Sequence, residues 1–484
     1  MEAMTDGLTW SAWLVIVPLA GALLAGIWPR GGRWIALATS VIIALLALGA
    51  AAQVWTQGPQ LLSLGGWDPP LGIGLRLDGL AAFMLLVAAL VGLFVGIYSL
   101  GYIPRDGYGG RFWALWLWLW ASMNALFLSG DVFNLYVTLE LVVLASTALV
   151  ALSGGAAALL AAMRYLMVGL LGSMAYLMGV ALLYAQHGVL DLALLAQRGG
   201  EETAMMLAAA LMSAGLMAKA ALFPLHIWLP PAHGSAPAPA SAVLSALVVK
   251  GAFYVLLRLW LTVFQDLVHP EAMQLLGGMG MLAVFWGGLM ALSMDRLKSV
   301  VAYSTVAQMG YLLLAFPFLL AGSGGWHAAV FLVAAHATAK TCIFMVAGNL
   351  QDANGGDDRL ASVAEVMRAR PMSSFALGIA GASLVGLPFT AGFVAKWLLL
   401  QTAMTSGGWF WGVGVVAGGL LAGAYVFRLL GPAFRSGPGR PGRPVPVLRE
   451  GVTLVLALVC VLLGFAGSAG LQLIAATPGG GHGG

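Results

Sequence analysis

The chain has 484 residues, of which 61% are hydrophobic and 8% charged, with a mean hydropathy of +0.95. Soluble domains carry about 25% charged residues, so a water-soluble globular fold is excluded. A membrane helix needs roughly 20 apolar residues, and the chain has room for well over ten. The formal net charge of +4 conceals an asymmetry that emerges once the few charges are placed along the chain.

Apolar runs between polar breaks predict an all-α polytopic membrane protein of about 14 transmembrane helices. The predicted spans are 9–28, 34–54, 78–100, 111–128, 132–152, 161–185, 203–223, 237–264, 272–293, 299–320, 326–350, 371–401, 409–430 and 451–474. Segment 55–77, rich in Gly, Pro and Trp, reads as an ordered surface loop. Segment 431–449 is a Pro/Gly/Arg linker, and the tail from Thr477 to Gly484 is Gly-rich, with His482 incidental. Glu2 and Asp6, with no base before the first apolar run, argue against a cleaved signal peptide. Cys342 and Cys460 lie in apolar runs and offer no disulfide framework, thiolate metal site or iron–sulfur spacing. No metal site and no cofactor are expected.

The bases divide sharply. Loops after odd-numbered spans hold Arg30, Arg33, Arg105, Arg111, Arg164, Arg296, Lys298, Arg359, Arg368, Arg370, Arg428, Arg435, Arg440, Arg443 and Arg449, whereas loops after even-numbered spans hold Arg76 and Arg198. The positive-inside rule makes the odd loops cytoplasmic and places both termini on the other side. The expected location is a bacterial inner (cytoplasmic) membrane.

The remaining bases fall within spans: Lys219, Lys250, Arg258, Lys340 and Lys396. Of the five lysines only Lys298 is expected in a loop. Arg is effectively always protonated, whereas desolvation lets a buried Lys lose its proton, so buried lysines can pass protons where arginines would be fixed charge. Among the acids Glu140 alone sits well inside a span, and Asp131 is expected at the interface. At roughly 2.5–3.5 kcal/mol per central ionisable residue, four lysines and a glutamate would cost on the order of 12–17 kcal/mol. That rivals the net stability of an ordinary fold, about 5–15 kcal/mol, and a purely structural role explains the set poorly. His336 and Lys340, spaced i, i+4, share a helix face. Beside a lysine His336 is a candidate relay as much as a core residue. Tyr303, Ser304 and Gln308 individually favour packing or backbone hydrogen bonds.

Two spans carry breaks. Phe223-Pro224-Leu225-His226-Ile227-Trp228-Leu229-Pro230-Pro231 ends span seven, five residues after Lys219 at Pro224. Gly386-Leu387-Pro388-Phe389-Thr390-Ala391-Gly392 interrupts span twelve, eight residues before Lys396 at Pro388. Proline removes a helical hydrogen bond, and unwound backbone at membrane depth persists only inside protein or beside a wet cavity. Two broken helices five spans apart, each with a lysine, predict two inverted five-helix repeats. The chain then divides into 1–110 (helices 1–3 and an extracytoplasmic loop), 111–264 (helices 4–8), 272–430 (helices 9–13) and 431–484 (linker, helix 14 and tail).

These residues carry a resemblance over roughly 60–430. The run from Lys219 to His233, followed by Ala236-Pro237-Ala238-Pro239-Ala240-Ser241-Ala242, resembles the signature of the antiporter-like subunits of respiratory complex I and its relatives. So do the run from Asp295 to Ser304 with Gln308 and Gly310, the run from His336 to Lys340, and the run from Gly386 to Lys396. The runs Leu64 to Ile73 and Gly130 to Tyr136, and the length, look most like the D-type component of Mrp-type multisubunit cation/proton antiporters. The resemblance implies that Glu140 pairs with Lys219, that Lys250 continues a central axis, and that His336 and Lys340 lead to Lys396. Two positions depart from the pattern. Pro231 stands where an acid is usual and is expected outside the proton path; Arg164 stands where Lys is frequent and would be a fixed interfacial charge at the start of span six.

Three functional readings follow. The first is the proton-translocating subunit of a cation/proton antiporter, with other subunits as partners and sodium as candidate counter-ion. The second is a proton-pumping membrane subunit of a redox complex such as complex I or a membrane-bound hydrogenase; no flavin, iron–sulfur or nucleotide motif occurs in the chain, so redox chemistry would reside in partners. The third is a non-conducting scaffold built on small-residue packing.

Overall fold

The computed structural model describes residues 10–105, 107–200, 202–320, 325–434 and 439–477; Glu2, Asp6, Arg435 and the tail with His482 lie outside the described residues. In chain order the elements are α1 (Trp10–Ile27), α2 (Gly32–Gln57), β1 (Gln60–Ser63), β2 (Gly74–Leu77), α3 (Gly79–Tyr102), α4 (Gly109–Leu128), α5 (Val132–Ala151) and α6 (Gly155–His187). There follow α7 (Leu192–Gln197), α8 (Thr203–Lys219), α9 (Leu229–Ser235), α10 (Ala238–Leu261), α11 (Pro270–Ser293), α12 (Leu297–Leu319) and α13 (Gly325–Ala353). The chain ends with α14 (Leu360–Arg368), α15 (Pro371–Val385), α16 (Ala391–Thr405), α17 (Trp409–Leu430), α18 (Val447–Phe465) and α19 (Gly467–Ala475).

Among the described residues, 11 helices are long and apolar enough to cross a membrane: α1, α2, α3, α5, α6, α10, α11, α12, α13, α17 and α18. The other three predicted spans fall on α4, α8 and the α15–α16 pair.

A helix apolar all round belongs in an interior, and one with a single packed face belongs at the edge. Here α10 and α13 are wholly buried and α12 nearly so, whereas α1, α2, α6, α17 and α18 turn large apolar side chains outward. Helix α13 is the hub, packed against α3, α10, α12, α15, α16, α18 and α19. With no hydrophobic drive between helices in lipid, close approach depends on small residues. The α6–α8 contact is one such place: a Cβ on Gly215 would stand 2.3 Å from the Gly172 carbonyl oxygen. In the α11–α12 contact a Cβ on Gly310 would stand 2.4 Å from that of Gly280.

Several boundaries differ from the sequence reading. The 55–77 loop contains an antiparallel hairpin, β1 on β2, with Gln60 opposite Leu77. Helix α6 begins at Gly155, which makes Arg164 its tenth residue, an exposed one, rather than a residue at the helix start. The last predicted span is two helices, α18 and α19, separated at Ala466. No proline announces that bend; α18 ends against the second helix break, where a Cβ on Gly464 would stand 2.8 Å from the Phe389 carbonyl oxygen. Lys298 and Arg449, expected in loops, are both buried. Each sits in the first turn of a helix, where hydropathy cannot distinguish a side chain aimed inward from one aimed at water.

Candidate functional site

The first break opens where α8 ends at Lys219. Ala221 takes a left-handed φ of 52°, a conformation that costs a non-glycine residue on the order of 1 kcal/mol and is held only where the surroundings impose it. Unwinding leaves carbonyls without helical partners. The Trp228 indole Nε1–H donates to that of Ala218 at 2.9 Å, and Trp228 in turn stacks on Tyr165 with ring centroids 4.1 Å apart. Lys219 is thereby fixed on a short helix end facing α5. Its Nζ donates to Glu140 Oε1 at 2.9 Å, and the Ser173 hydroxyl of α6 donates to the same carboxylate oxygen. Lys219 is buried and Glu140 is partly accessible, with side-chain exposures of 3% and 17%. The carboxylate thus stands between the lysine and the outer surface of α5.

The central group lies on the three interior helices. One turn before Lys250, α10 widens into a π-helical stretch, Leu244–Val248, a feature that disturbs carbonyl pairing and often marks functional sites. Lys250 Nζ donates to the Ser245 carbonyl in that stretch. The Ser245 hydroxyl meets Thr305 Oγ1 at 2.9 Å, and Thr305 donates to the Val301 carbonyl at 3.2 Å. Lys340 Nζ reaches the same Val301 carbonyl at 2.6 Å from α13 and also donates to Ser304 Oγ. Lys250 and Lys340 are therefore linked through Ser245, Thr305 and the Val301 carbonyl across α10, α12 and α13. His336, one turn before Lys340, lies within electrostatic reach of Lys250, Lys340 and Lys396. Neither of its ring nitrogens has a hydrogen-bond partner among the described protein groups.

The second break separates α15 from α16. Gly386 closes α15 with a φ of 90°, which a residue with a Cβ adopts only under strain. Thr390 caps α16 by accepting from the Phe393 N–H at 3.3 Å. Gly392 lets α16 lie against α15, because a Cβ there would stand 1.8 Å from the Ser383 carbonyl oxygen. The last carbonyls of α15 are the negative end of its dipole. Lys396 Nζ occupies that end, donating to Leu384 at 2.7 Å and Val385 at 3.2 Å, with its ammonium 4.5 Å from the Tyr311 ring centroid. Gln308 Nε2 donates to the same Leu384 carbonyl at 3.2 Å. The second break is thus tied to α12, one turn from Ser304.

All six sequence-derived residues, Glu140, Lys219, Lys250, His336, Lys340 and Lys396, lie at the breaks or between them, and all but Glu140 are buried. Pro224 and Pro388 are both exposed, within the two breaks. Tyr303, Ser304 and Gln308 were expected to pack or to bond backbone; Ser304 and Gln308 do bond backbone, to the Val301 and Leu384 carbonyls, and Ser304 also accepts from Lys340. Sequence reading passed over His233 and misplaced Lys298. His233 is fully buried on α9, stacks on Phe344 at 4.6 Å and lies within electrostatic reach of Lys340, Lys250 and Lys298. Its signal was present, a histidine inside the break motif beyond two prolines. Lys298 donates to the Ala236 carbonyl at 3.0 Å, just after α9. Pro231 lines a cavity of about 560 Å³ on the arginine-rich side, together with Ser153, Ile227, Arg296 and Tyr303.

Comparison with known proteins agrees with this architecture. The family described as NADH:quinone oxidoreductase/Mrp antiporter, TM, matches residues 129–422, and the family of the N-terminus of complex I chain 5 matches residues 67–113. The N-type subunit of NADH-quinone oxidoreductase from Desulforudis audaxviator is 35% identical over 452 residues, covering 90% of this chain and 89% of the relative. The D-type subunit of the Na(+)/H(+) antiporter from Alkalihalophilus pseudofirmus is 29% identical over 78% of this chain and 76% of its own. A chain of an archaeal membrane-bound sulfane sulfur reductase superposes with a TM-score of 0.87 at 28% identity, covering 96% of each chain. A chain of the Mrp complex from Dietzia shares the fold with a TM-score of 0.88 at 24% identity, covering 98% and 97%. The chain belongs to the NADH:quinone oxidoreductase/Mrp antiporter transmembrane family.

Proposed function

We propose that this chain is a proton-translocating subunit of a multisubunit membrane complex, and that it moves protons along Glu140, Lys219, Lys250, His336, Lys340 and Lys396. The observation that carries the reading is the pairing pattern of the lysines. Lys219 has a carboxylate partner; Lys250, Lys340 and Lys396 donate only to carbonyl and hydroxyl oxygens. A permanently charged group so placed would be costly, whereas an amine that gains and loses a proton suits neutral acceptors.

Protonation of one lysine repels a proton from the next. Contact with Glu140 favours the Lys219 ammonium, and separation lets desolvation favour the neutral amine, so displacement of one ion pair moves protons along the axis. His336, whose buried ring nitrogens lack protein partners, is positioned to relay between Lys250 and Lys340, and His233, with the same lack, is a side station on the path. The two halves, 111–264 and 272–430, act as inverted repeats around it, with the arginine-rich loops and the 560 Å³ cavity on the cytoplasmic side of a bacterial inner membrane. Both termini then face outward.

The driver is a cation exchanged elsewhere in an Mrp-type assembly, with sodium as the counter-ion. A redox driver in partner subunits is the second reading, favoured by the 35% identity to a quinone oxidoreductase subunit. The test uses vesicles holding the assembled complex. Sodium-driven proton uptake without an electron donor supports the antiporter; uptake that requires donor and quinone supports the redox complex. Under either driver Glu140→Ala and Lys219→Ala abolish proton movement while the complex still assembles. Wild-type transport in either variant would sink the proposed axis.

A further inference from the structure

A second ionic cluster lies off this axis. On α10 the residues Lys250, Tyr254 and Arg258 recur at four-residue spacing, so they run along adjoining turns toward the end opposite the arginine-rich face. Arg258 lies about 12 Å beyond Lys250 at 1.5 Å per residue. It is fully buried and forks onto Asp78, the N-cap of α3, through Nη1 to Oδ2 at 2.5 Å and Nη2 to Oδ1 at 2.8 Å. Asp78, also fully buried, accepts further bonds from Arg76 Nε at 3.0 Å and the Ala81 N–H at 3.0 Å.

This cluster differs from the lysine axis in its chemistry. The Tyr254 hydroxyl donates to the Phe127 carbonyl at 2.6 Å and accepts from Arg258 Nη2 at 2.9 Å. Its one proton is committed sideways, and no donor is left to carry a proton outward from Lys250. Arginine stays protonated and cannot hand its proton on. Asp78 is held by two guanidinium groups and a backbone N–H, so its charge is fixed. Two cations and one anion leave a net positive charge. Fixed arginines exclude protons and cations from membrane pathways by electrostatic barrier.

We propose that Arg258, supported by Arg76 and anchored by Asp78, is a fixed-charge barrier that stops a proton on Lys250 from escaping along α10 to the opposite face. The proposal rests on the proton-axis reading. A unit charge about 12 Å away at an effective dielectric constant of about 20 changes proton occupancy about tenfold, which sets the expected effect.

The experiment measures passive proton permeability of proteoliposomes containing the whole complex, with a pH-sensitive dye inside, an imposed membrane potential, and neither counter-ion gradient nor electron donor. Arg258→Gln raises the leak about tenfold. Asp78→Asn breaks the same ion pair but makes the cluster more positive, and its leak stays within twofold of wild type. Arg76→Gln, at a partly accessible site, neutralises the cluster without touching the buried fork, so it leaks several-fold even if Arg258→Gln fails to assemble. A merely structural clamp predicts equal leaks for Asp78→Asn and Arg258→Gln; that result, or no leak in Arg258→Gln and Arg76→Gln, overturns the proposal. Adding Lys250→Met to the leaking variant closes the leak, and a leak that persists there also overturns it. Driven transport in Lys250→Met alone tests the proton axis separately, so the two readings can fail independently.

Discussion

The two helix breaks place a lysine in the same relation to unwound backbone but partner it differently. At the first, Lys219 faces a full carboxylate, Glu140, on a neighbouring helix. At the second, Lys396 faces the carbonyl end of α15, its partner across the break. A helix terminus carries about half an elementary charge; it cannot be protonated and does not move away from its own lysine. On the proposed proton axis the first break is the one able to switch, since separating two side chains changes the charge balance. The second holds, since Lys396 of α16 also caps the end of α15. The proposal thus makes one break a gate and the other a terminus, with the α10–α12–α13 chain between them.

Substitutions that test this contrast fall in a clear order. Glu140→Gln keeps the shape and removes the charge that biases Lys219; driven proton transport in vesicles falls at least a hundredfold while the complex is recovered in normal amount. Equal transport in Glu140→Gln and wild type would erase the distinction between the breaks. Lys396→Arg preserves the bonds to Leu384 and Val385 but cannot release a proton. It costs roughly tenfold in transport and, as a permanent charge facing neutral acceptors, lowers the unfolding temperature, whereas Lys396→Met loses transport and the bonds to α15 altogether. If Lys396→Arg transports normally, Lys396 is a cap alone.

Gly392→Ala acts on the geometry of the second break. Its Cβ would fall 1.8 Å from the Ser383 carbonyl oxygen, so α16 must move, at about 1–3 kcal/mol for such overpacking. The expected signature is a lower unfolding temperature of the purified complex, and an unchanged temperature would mean that the two half-helices have slack. The smallest effect belongs to Ser245→Ala, which removes the hydroxyl link to Thr305 and leaves the carbonyl bonded to Lys250. One hydrogen bond contributes about 0.5–1.5 kcal/mol, so transport should fall by a factor of about 2–10, measured as initial rate.

The contrast also separates what was readable in the sequence from what was not. Pro224 and Pro388 announced the breaks because proline's cost in a helix is local. The four intramembrane lysines stood out because desolvation penalises charge wherever it is buried, whatever the neighbours. The pairing of Glu140 with Lys219 came only from family resemblance, since the partners are 79 residues apart. The acceptors of Lys396 had no sequence signal, because they are backbone carbonyls that any residue supplies. Lys298 and Arg449 were misplaced for a related reason: charge beside a turn looks like a loop until neighbouring helices enclose it. Arg449 is enclosed by Tyr98 and Tyr102 of α3 and paired with Asp352 in the last turn of α13, at 2.8 Å.

By itself, then, the sequence determined the class of molecule, the asymmetry of charge along it, the positions of both breaks and the four lysines buried within apolar runs. These are properties of composition along one line, and each free-energy term behind them is set residue by residue. Tertiary structure alone decided which groups meet: Lys250 with Lys340 through Val301 and Thr305, Lys396 with the end of α15, and Arg258 with Asp78 across 180 residues. The rotation of a helix about its axis follows from small residues on several neighbours at once, such as Gly215 against Gly172 and Gly310 against Gly280. Hydropathy encodes depth in the membrane and carries little of that rotational information.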